Sequence, residues 1–271
     1  MRRLLNRLPG RGGALGLGVL PFLLIFVVYV LASDTRLAEN SHDKLLPAIN
    51  TIVDSIHTYA IEEDTRSGNI LLWTDTWASL KRLLMGLGIG AAFGLLFGVA
   101  VGVVPYVRAT LQPFIAALSM IPPLAMLPIL FLVFGLDELS KVVLIVFGVA
   151  PVIMRDLALR VAEIPREQII KAQTLGASTW QIVVRVVLPQ MWPRLIDAVR
   201  LTLGSAWLFL IAAEAIAATE GLGYRIFLVR RYMAMDIILP YVMWITLLAF
   251  AMDYALRVLS QRLYPWMQRS E

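Results

Sequence analysis

Few residues in this chain could do chemistry, and they lie far apart. The 271 residues include no cysteine and only two histidines, His42 and His57. Disulfides and thiolate metal sites are thereby excluded, and two histidines in one polar stretch do not supply a metal-ligand set. A glycine loop ending in Gly-Lys-Ser/Thr, which would cradle nucleotide phosphates, is absent, so the chain is not expected to hydrolyse ATP itself. No nucleophile sits with a base, and no paired acids fall within the apolar runs, so a membrane enzyme has nothing to work with. One acid, Glu214, lies inside an apolar run. An ionisable group at membrane depth is costly and is by default a functional candidate. It has two readings: a hydrogen-bonding role in the fold, or a contact on a solute path.

Two backbone features add to this. Pro122-Pro123 removes two amide donors from an apolar run, just after Ser119 and Met120. Broken backbone at that depth is tolerated where it is buried in protein or lines a water-filled cavity. The alternatives are a plain kink and a lining for the translocation path. Gly86, Gly90, Gly94, Gly98 and Gly102 recur at every fourth position. That spacing makes a nearly straight bare stripe where another helix can approach closely, either as fixed packing or as a sliding surface.

The elements that must position these groups are membrane helices. Hydrophobic residues make up 59% of the chain, with a mean hydropathy of +0.76, beyond the ~45–50% of soluble domains. Runs long enough to span, about 20 residues each, fall near 14–32, 83–104, 111–134, 195–218 and 237–257, and a fourth span in chain order starts near 142 and fades by 154. Arg2, Arg3, Arg7 and Arg11 precede the first, which reads as a retained anchor. The 33–76 stretch is rich in acids and belongs outside, with an amphipathic helix over 48–61 whose apolar face is Ile49, Ile52, Val53 and Ile56. The expected fold is all-α and membrane-integral, with about six spans and both termini cytoplasmic. Its parts are an anchor and outer segment (1–74), a transmembrane core (75–258) and a cytoplasmic tail (259–271). The net charge of +5 collects beside apolar segments and sets topology, so nucleic acid is not an expected partner. The 219–236 loop, with Arg225, Arg230 and Arg231, is more basic than an outer loop should be. Asp197 with Arg200, and Asp253 with Arg257, are spaced for local ion pairs.

The polar segment 155–194 is the most informative. Pro165 suits a first helical turn, and Ile169, Ile170, Ala172 and Leu175 follow at helical spacing. Gly176 fits the left-handed position that closes a helix. Ser178 and Gln181 form a capping box for a second helix carrying Trp180, Ile182, Val183, Val186 and Val187, which Pro189 helps to end. An apolar face outside the membrane points to a docking surface.

The turn Thr174-Leu175-Gly176-Ala177-Ser178-Thr179-Trp180, followed by Val186-Val187-Leu188-Pro189, resembles the signature loop of binding-protein-dependent permeases of ATP-driven (ABC type I) importers. Nine residues separate Gly176 from Val186, as that pattern asks. Its Glu-Ala-Ala triplet reads Ile170-Lys171-Ala172 here, so only Ala172 matches. The stretch 76–82, the glycine-rich span, the 119–123 region, Ala213-Glu214 with Gly221-Leu222-Gly223-Tyr224, and Leu46-Pro47 in the outer segment are similar to the nitrate, sulfonate and taurine branch.

The resemblance implies a multi-pass permease of the bacterial inner membrane, acting as a homodimer. Each copy would dock a cytoplasmic ATP-binding subunit through Ala172, Thr174, Leu175, Gly176, Ala177, Ser178, Leu188 and Pro189. ATP and Mg would be bound by that subunit and no cofactor by this chain, and a periplasmic or lipid-anchored binding protein would deliver solute. The cargo implied is a small polar nitrogen or sulfur compound, with urea- or guanidine-type solutes as a further possibility. The competing class, an ion-coupled secondary transporter, needs intramembrane relays and repeated halves. Glu214 is the one relay in sight and no repeat is visible.

Overall fold

The computed structural model describes residues 10–40, 43–65 and 67–266. Arg2, Arg3, Arg7, His42, Arg66 and the tail beyond 266 lie outside the described residues. Every regular element among those described is helical. Five helices are long and apolar enough to cross a membrane, and a bent helix pair can supply a sixth crossing.

Helix α1 (Arg11–Glu39) exposes its apolar side chains along most of its length, which makes lipid its solvent. Near its end Tyr29 Oη donates to the Pro47 carbonyl (2.7 Å) and Ser33 Oγ to that of Leu46 (3.0 Å). Arg36 pairs with Asp43, whose carboxyl lies below its usual range because the Leu45 N–H and Arg36 both donate to it. Helix α2 (Ile49–Ala60) is the expected amphipathic helix, but it turns a different side inward. Ser55 bonds Asp236 (2.9 Å) and Tyr59 meets Tyr241 edge-on. Ile52 follows them inward, while Ile49, Val53 and Ile56 stay exposed. The polar and aromatic anchors fix the helix rotation.

Helix α3 (Leu71–Val103) has 33 residues, about 50 Å at ~1.5 Å per residue. That exceeds the ~30 Å hydrocarbon thickness, so Asp75 sits in an early helical turn rather than in the preceding loop. Next come α4 (Pro105–Leu118), a short 3₁₀ turn (Pro123–Met126) and α5 (Leu127–Phe134), the two arms bent by 82°. The missing amides of Pro122 and Pro123, and their bias against α conformation in the preceding residue, explain the break.

Helix α6 (Glu138–Ala162) runs well past Met154, where hydropathy alone suggests that the span fades. Its last turns are held by packing: Leu157 and Val161 are buried against Gly98 and Gly102. The whole stripe repeats this. Gly86 abuts Ile145, Gly90 Val149, Gly94 Ile153, Gly98 Leu157 and Gly102 Val161. Both partners advance by four, so α3 and α6 are parallel. Residues 105–134 must therefore return the chain across the membrane. The bent pair is a sixth span, since a re-entrant hairpin would leave α6 antiparallel to α3.

Helix α7 (Arg166–Thr174) follows, with Pro165 at its N-cap rather than in its first turn. Then α8 (Thr179–Ile182), a π-turn (Val183–Val187) and α9 (Leu188–Ala217) form one continuous 39-residue helix. Pro189 does not end it. The π-turn ahead of it widens the spiral, with the Leu188 N–H reaching back to the Val183 carbonyl, so the proline ring is accommodated near the junction. Helix α10 (Leu222–Arg230) is short, and α11 (Met235–Leu263) closes the bundle. The two expected local ion pairs are mainly one bridge between helices: Arg200 donates to both oxygens of Asp253 (2.8 and 3.2 Å), and Asp197 stands 3.7 Å off.

The core is centred on α6, sandwiched by α3 and α9. Gly148 lets the Phe209 ring lie directly on the α6 backbone. One face of the membrane carries α2 and α10, and the opposite face carries α7.

Adding one methyl at Gly94 overlaps Ile153, whereas Gly88 and Gly204 have nothing within reach. Gly94→Ala is expected to destabilise the detergent-purified chain by about 1–3 kcal/mol, and Gly88→Ala to be neutral. The pair Gly94→Ala with Ile153→Ala should recover part of the loss. Thermal unfolding midpoints check this, and equal midpoints for Gly94→Ala and Gly88→Ala would reject the ladder.

Candidate functional site

The α2/α10 face is closed by a buried polar cap. Asp75, Ser79 and Arg82 fall on one side of α3 by their spacing of four and three. All are within 1% of full burial, as is Glu214 at the end of α9. Arg82 Nη1 donates to Glu214 (2.7 Å) and to the Glu220 carbonyl (2.8 Å), and its Nε and Nη2 hold Glu138 at the start of α6. Lys141 adds a bond to Glu138 (3.0 Å). Ser79 Oγ donates to Glu214 and accepts from the Leu222 N–H (2.8 Å), while the Gly223 N–H donates to Glu214 (2.9 Å). Beside it, Asp75 accepts from Arg225 (2.8 Å), the Gly221 N–H (2.9 Å) and Tyr241 (3.2 Å).

Gly221 is required here twice over. Its φ of +127° is open essentially to glycine alone, and a side chain would run into the Glu214 carboxylate. This gives Gly221-Leu222-Gly223 a physical reason: two backbone amides must be brought onto buried acids. It also resolves the basic 219–236 loop, since Arg225 is spent on Asp75 and Arg230 stacks over Phe227. Glu214 is fully enclosed and held by Ser79, Arg82 and the Gly223 N–H, which favours the structural reading. The sequence reading missed Asp75, Ser79, Arg82, Glu138 and Tyr241. The three-residue face on α3 is a usable signal, hidden because the acid-rich stretch 33–76 takes in Asp75.

The α7 face carries the turn. The Gly176 N–H bonds the Gln173 carbonyl (2.9 Å) and the Ala177 N–H bonds that of Ala172 (3.0 Å), with Gly176 at φ +80°. This is a Schellman closure. Both halves of the Ser178–Gln181 capping box are formed. The turn is thus rigid, yet it holds apolar side chains out: Leu175 is 87% exposed and Trp180 73%, with Ile170 beside them. Ile169, Ala172 and Ala177 instead pack inward, and Leu188 and Pro189 sit past the π-turn. Ala172, the surviving member of the triplet, supplies both the closing carbonyl and a methyl against the bundle.

Between the faces lies the break. Ser119 caps α4, Met120 is exposed, and Pro122-Pro123 turn the chain. Arg155 of α6 reaches up and donates to Ser119 Oγ (3.0 Å). The candidate path residues Ser119, Met120, Pro122 and Pro123 are together, and Glu214 is separate from them in the cap.

Residues 90–265 match the family described as binding-protein-dependent transport system inner membrane component. The chain belongs to that family and is a multi-pass inner-membrane permease. Over 196 residues it is 38% identical to the taurine transport system permease protein TauC of Escherichia coli (strain K12), covering 72% of this chain and 71% of that one. It is 27% identical over 209 residues to the nitrate import permease protein NrtB of Synechococcus elongatus, covering 76% and 74%. A chain of the MetNI methionine ABC transporter in an inward-facing conformation shares the fold (TM-score 0.61, 23% identity, 69% of this chain and 93% of that one). So does a chain of a bacterial ABC transporter that imports alginate (0.63, 14%, 93% and 96%).

Removing one member of a buried ion pair leaves the other uncompensated, at a cost of about 3–5 kcal/mol. Arg82→Ala should therefore lower the thermal midpoint in detergent sharply, and Glu214→Gln less, because the amide can keep some of the hydrogen bonds. Unchanged melting of Arg82→Ala would show that the cap contributes nothing to the fold.

Proposed function

We propose that the chain is the pore-forming permease of an ATP-driven importer for small solutes bearing a sulfonate or nitrate-like head. The observation that carries this is the rigid turn at Gly176, which holds Leu175 and Ile170 exposed. Apolar side chains fixed in that way are useful only against a partner. The partner is a cytoplasmic ATP-binding subunit, one on each copy of a homodimer, and ATP and Mg belong to it. The α7 face is then cytoplasmic, with both termini on it, and the α2/α10 face is external, where a binding protein delivers solute. The 38% identity to a taurine permease supports the cargo class.

The mechanism follows from stiffness. The π-turn joins the docking turn directly to α9, whose far end holds Glu214 in the cap. A push on the turn is delivered along one continuous helix to the opposite face, about 58 Å at ~1.5 Å per residue. The second half of the turn, Leu188 and Pro189, lies on that same rod.

Gly176→Pro cannot adopt φ +80° and should abolish uptake and co-purification of the ATP-binding subunit while the protein stays in the membrane. Leu175→Glu tests the same contact without touching the backbone, since that side chain is exposed. Pull-down from detergent extracts and uptake into proteoliposomes are the readouts. Normal co-purification of both variants would refute docking through this turn.

A further inference from the structure

A cavity of about 250 Å³ opens between α3, α4 and α6 in the half of the bundle nearest α7. Its polar lining is Arg108, Gln112 and Arg155, and among the described residues no acid lines it. Arg108 donates to the Val101 and Gly102 carbonyls at the end of α3. Arg155 is held on Ser119 Oγ, at the break in the third span. Among the described residues neither arginine has a carboxylate within ion-pair distance: the ion pairs nearby join Arg160 to Asp156 and Glu163.

Ser119 lies 14 residues beyond Pro105, about 20 Å along α4 at ~1.5 Å per residue. A guanidinium directed to that depth without a carboxylate needs water around it, and such groups mark ion or solute pathways. A small cleft lined by one sign of charge between apolar walls focuses potential and concentrates counter-ions. A planar guanidinium fork matches the paired oxygens of an oxoanion.

We infer that the Arg108–Gln112–Arg155 cavity, with Ser119 Oγ bonded to Arg155, is an inner-half oxoanion site, where a sulfonate or nitrate head pauses on its way to the α7 face. The site rests on the permease reading for its role but not for its chemistry. It gives the chain a part in selecting cargo, apart from any binding protein. Ser119 is the hand-over point: its hydroxyl holds Arg155 at the break until an anion arrives and takes the guanidinium.

The absence of cysteine allows a clean test on the full chain in phosphatidylcholine nanodiscs. Gln112→Cys is introduced in the cavity and Thr110→Cys on α4 outside it. Each is labelled with an anionic and a cationic methanethiosulfonate reagent, and both rates are normalised to a free thiol. The expected result is an anionic preference of about tenfold or more at position 112 and none at position 110. Arg155→Gln with Arg108→Gln should bring the preference to parity, and Arg155→Lys should retain it. Taurine or nitrate should slow the anionic reagent at position 112. Parity at position 112 with both arginines present would overturn the site. Slowing by phosphatidylglycerol added to the nanodiscs, but not by taurine or nitrate, would make it a lipid-headgroup site and overturn the solute path. The readout needs no ATP-binding subunit. An anionic preference in a chain that fails to bind that subunit would therefore count against docking alone.

Discussion

The close parallel approach of α3 and α6 is the constraint from which the rest of the architecture follows. Inside lipid there is no hydrophobic gain in bringing two apolar helices together, so association depends on packing and hydrogen bonds. Five glycines on α3 meet five branched or bulky residues on α6 at the same four-residue pitch. This interlocking seats each side chain of α6 against bare backbone. It also argues for fixed packing over sliding, because a slip by one step would drive Ile153 or Val161 into a neighbouring turn. Parallel α3 and α6 require a full crossing between them. That crossing is the one broken by Pro122-Pro123, so the regular pair dictates that the irregular span exists.

The polar cap is the second constraint, and it is set by cost. Asp75, Arg82 and Glu214 lie within or at the ends of membrane helices and are fully enclosed. A buried charge is tolerated only when paired and hydrogen-bonded. Here each charge meets a counter-charge; the two acids also accept backbone amides from the Gly221–Gly223 turn, and Arg82 donates to the Glu220 carbonyl. The cap ties α3, α6, α9, α10 and α11 at one face. Tyr59 and Ser55 extend it to α2 through Tyr241 and Asp236.

Much of the fold was legible because lipid imposes strong rules on sequence. Span count, the glycine stripe, the left-handed Gly176 and the Ser178–Gln181 box were all readable from local chemistry. What escaped reading depended on contacts between distant segments. Hydropathy ends the fourth span near Met154, but the α3 ladder keeps it helical to Ala162. Pro189 looks like a stop until a π-turn upstream absorbs it. Arg200 and Asp253 each had a closer partner in sequence and chose one another across two helices. The triplet Ile170-Lys171-Ala172 shows the reverse case: the acidic position is lost, yet Ala172 still closes the turn through its carbonyl.

The two faces therefore do different work with the same material. In the cap at the α2/α10 face Asp75, Arg82, Glu138, Glu214 and Arg225 neutralise one another, which makes a stiff end. Toward the α7 face Arg108 and Arg155 have no acid in ion-pair reach among the described residues, and Leu175 stands exposed. Unmatched groups held in fixed positions are the signature of sites rather than of structure. The continuous helix Thr179–Ala217 joins the two conditions, since it begins at the unmatched turn and ends in the matched cap. A bundle locked at one end and incomplete at the other moves most readily at the incomplete end. The break at Pro122-Pro123 lies between the two ends, and Arg155 touches it through Ser119.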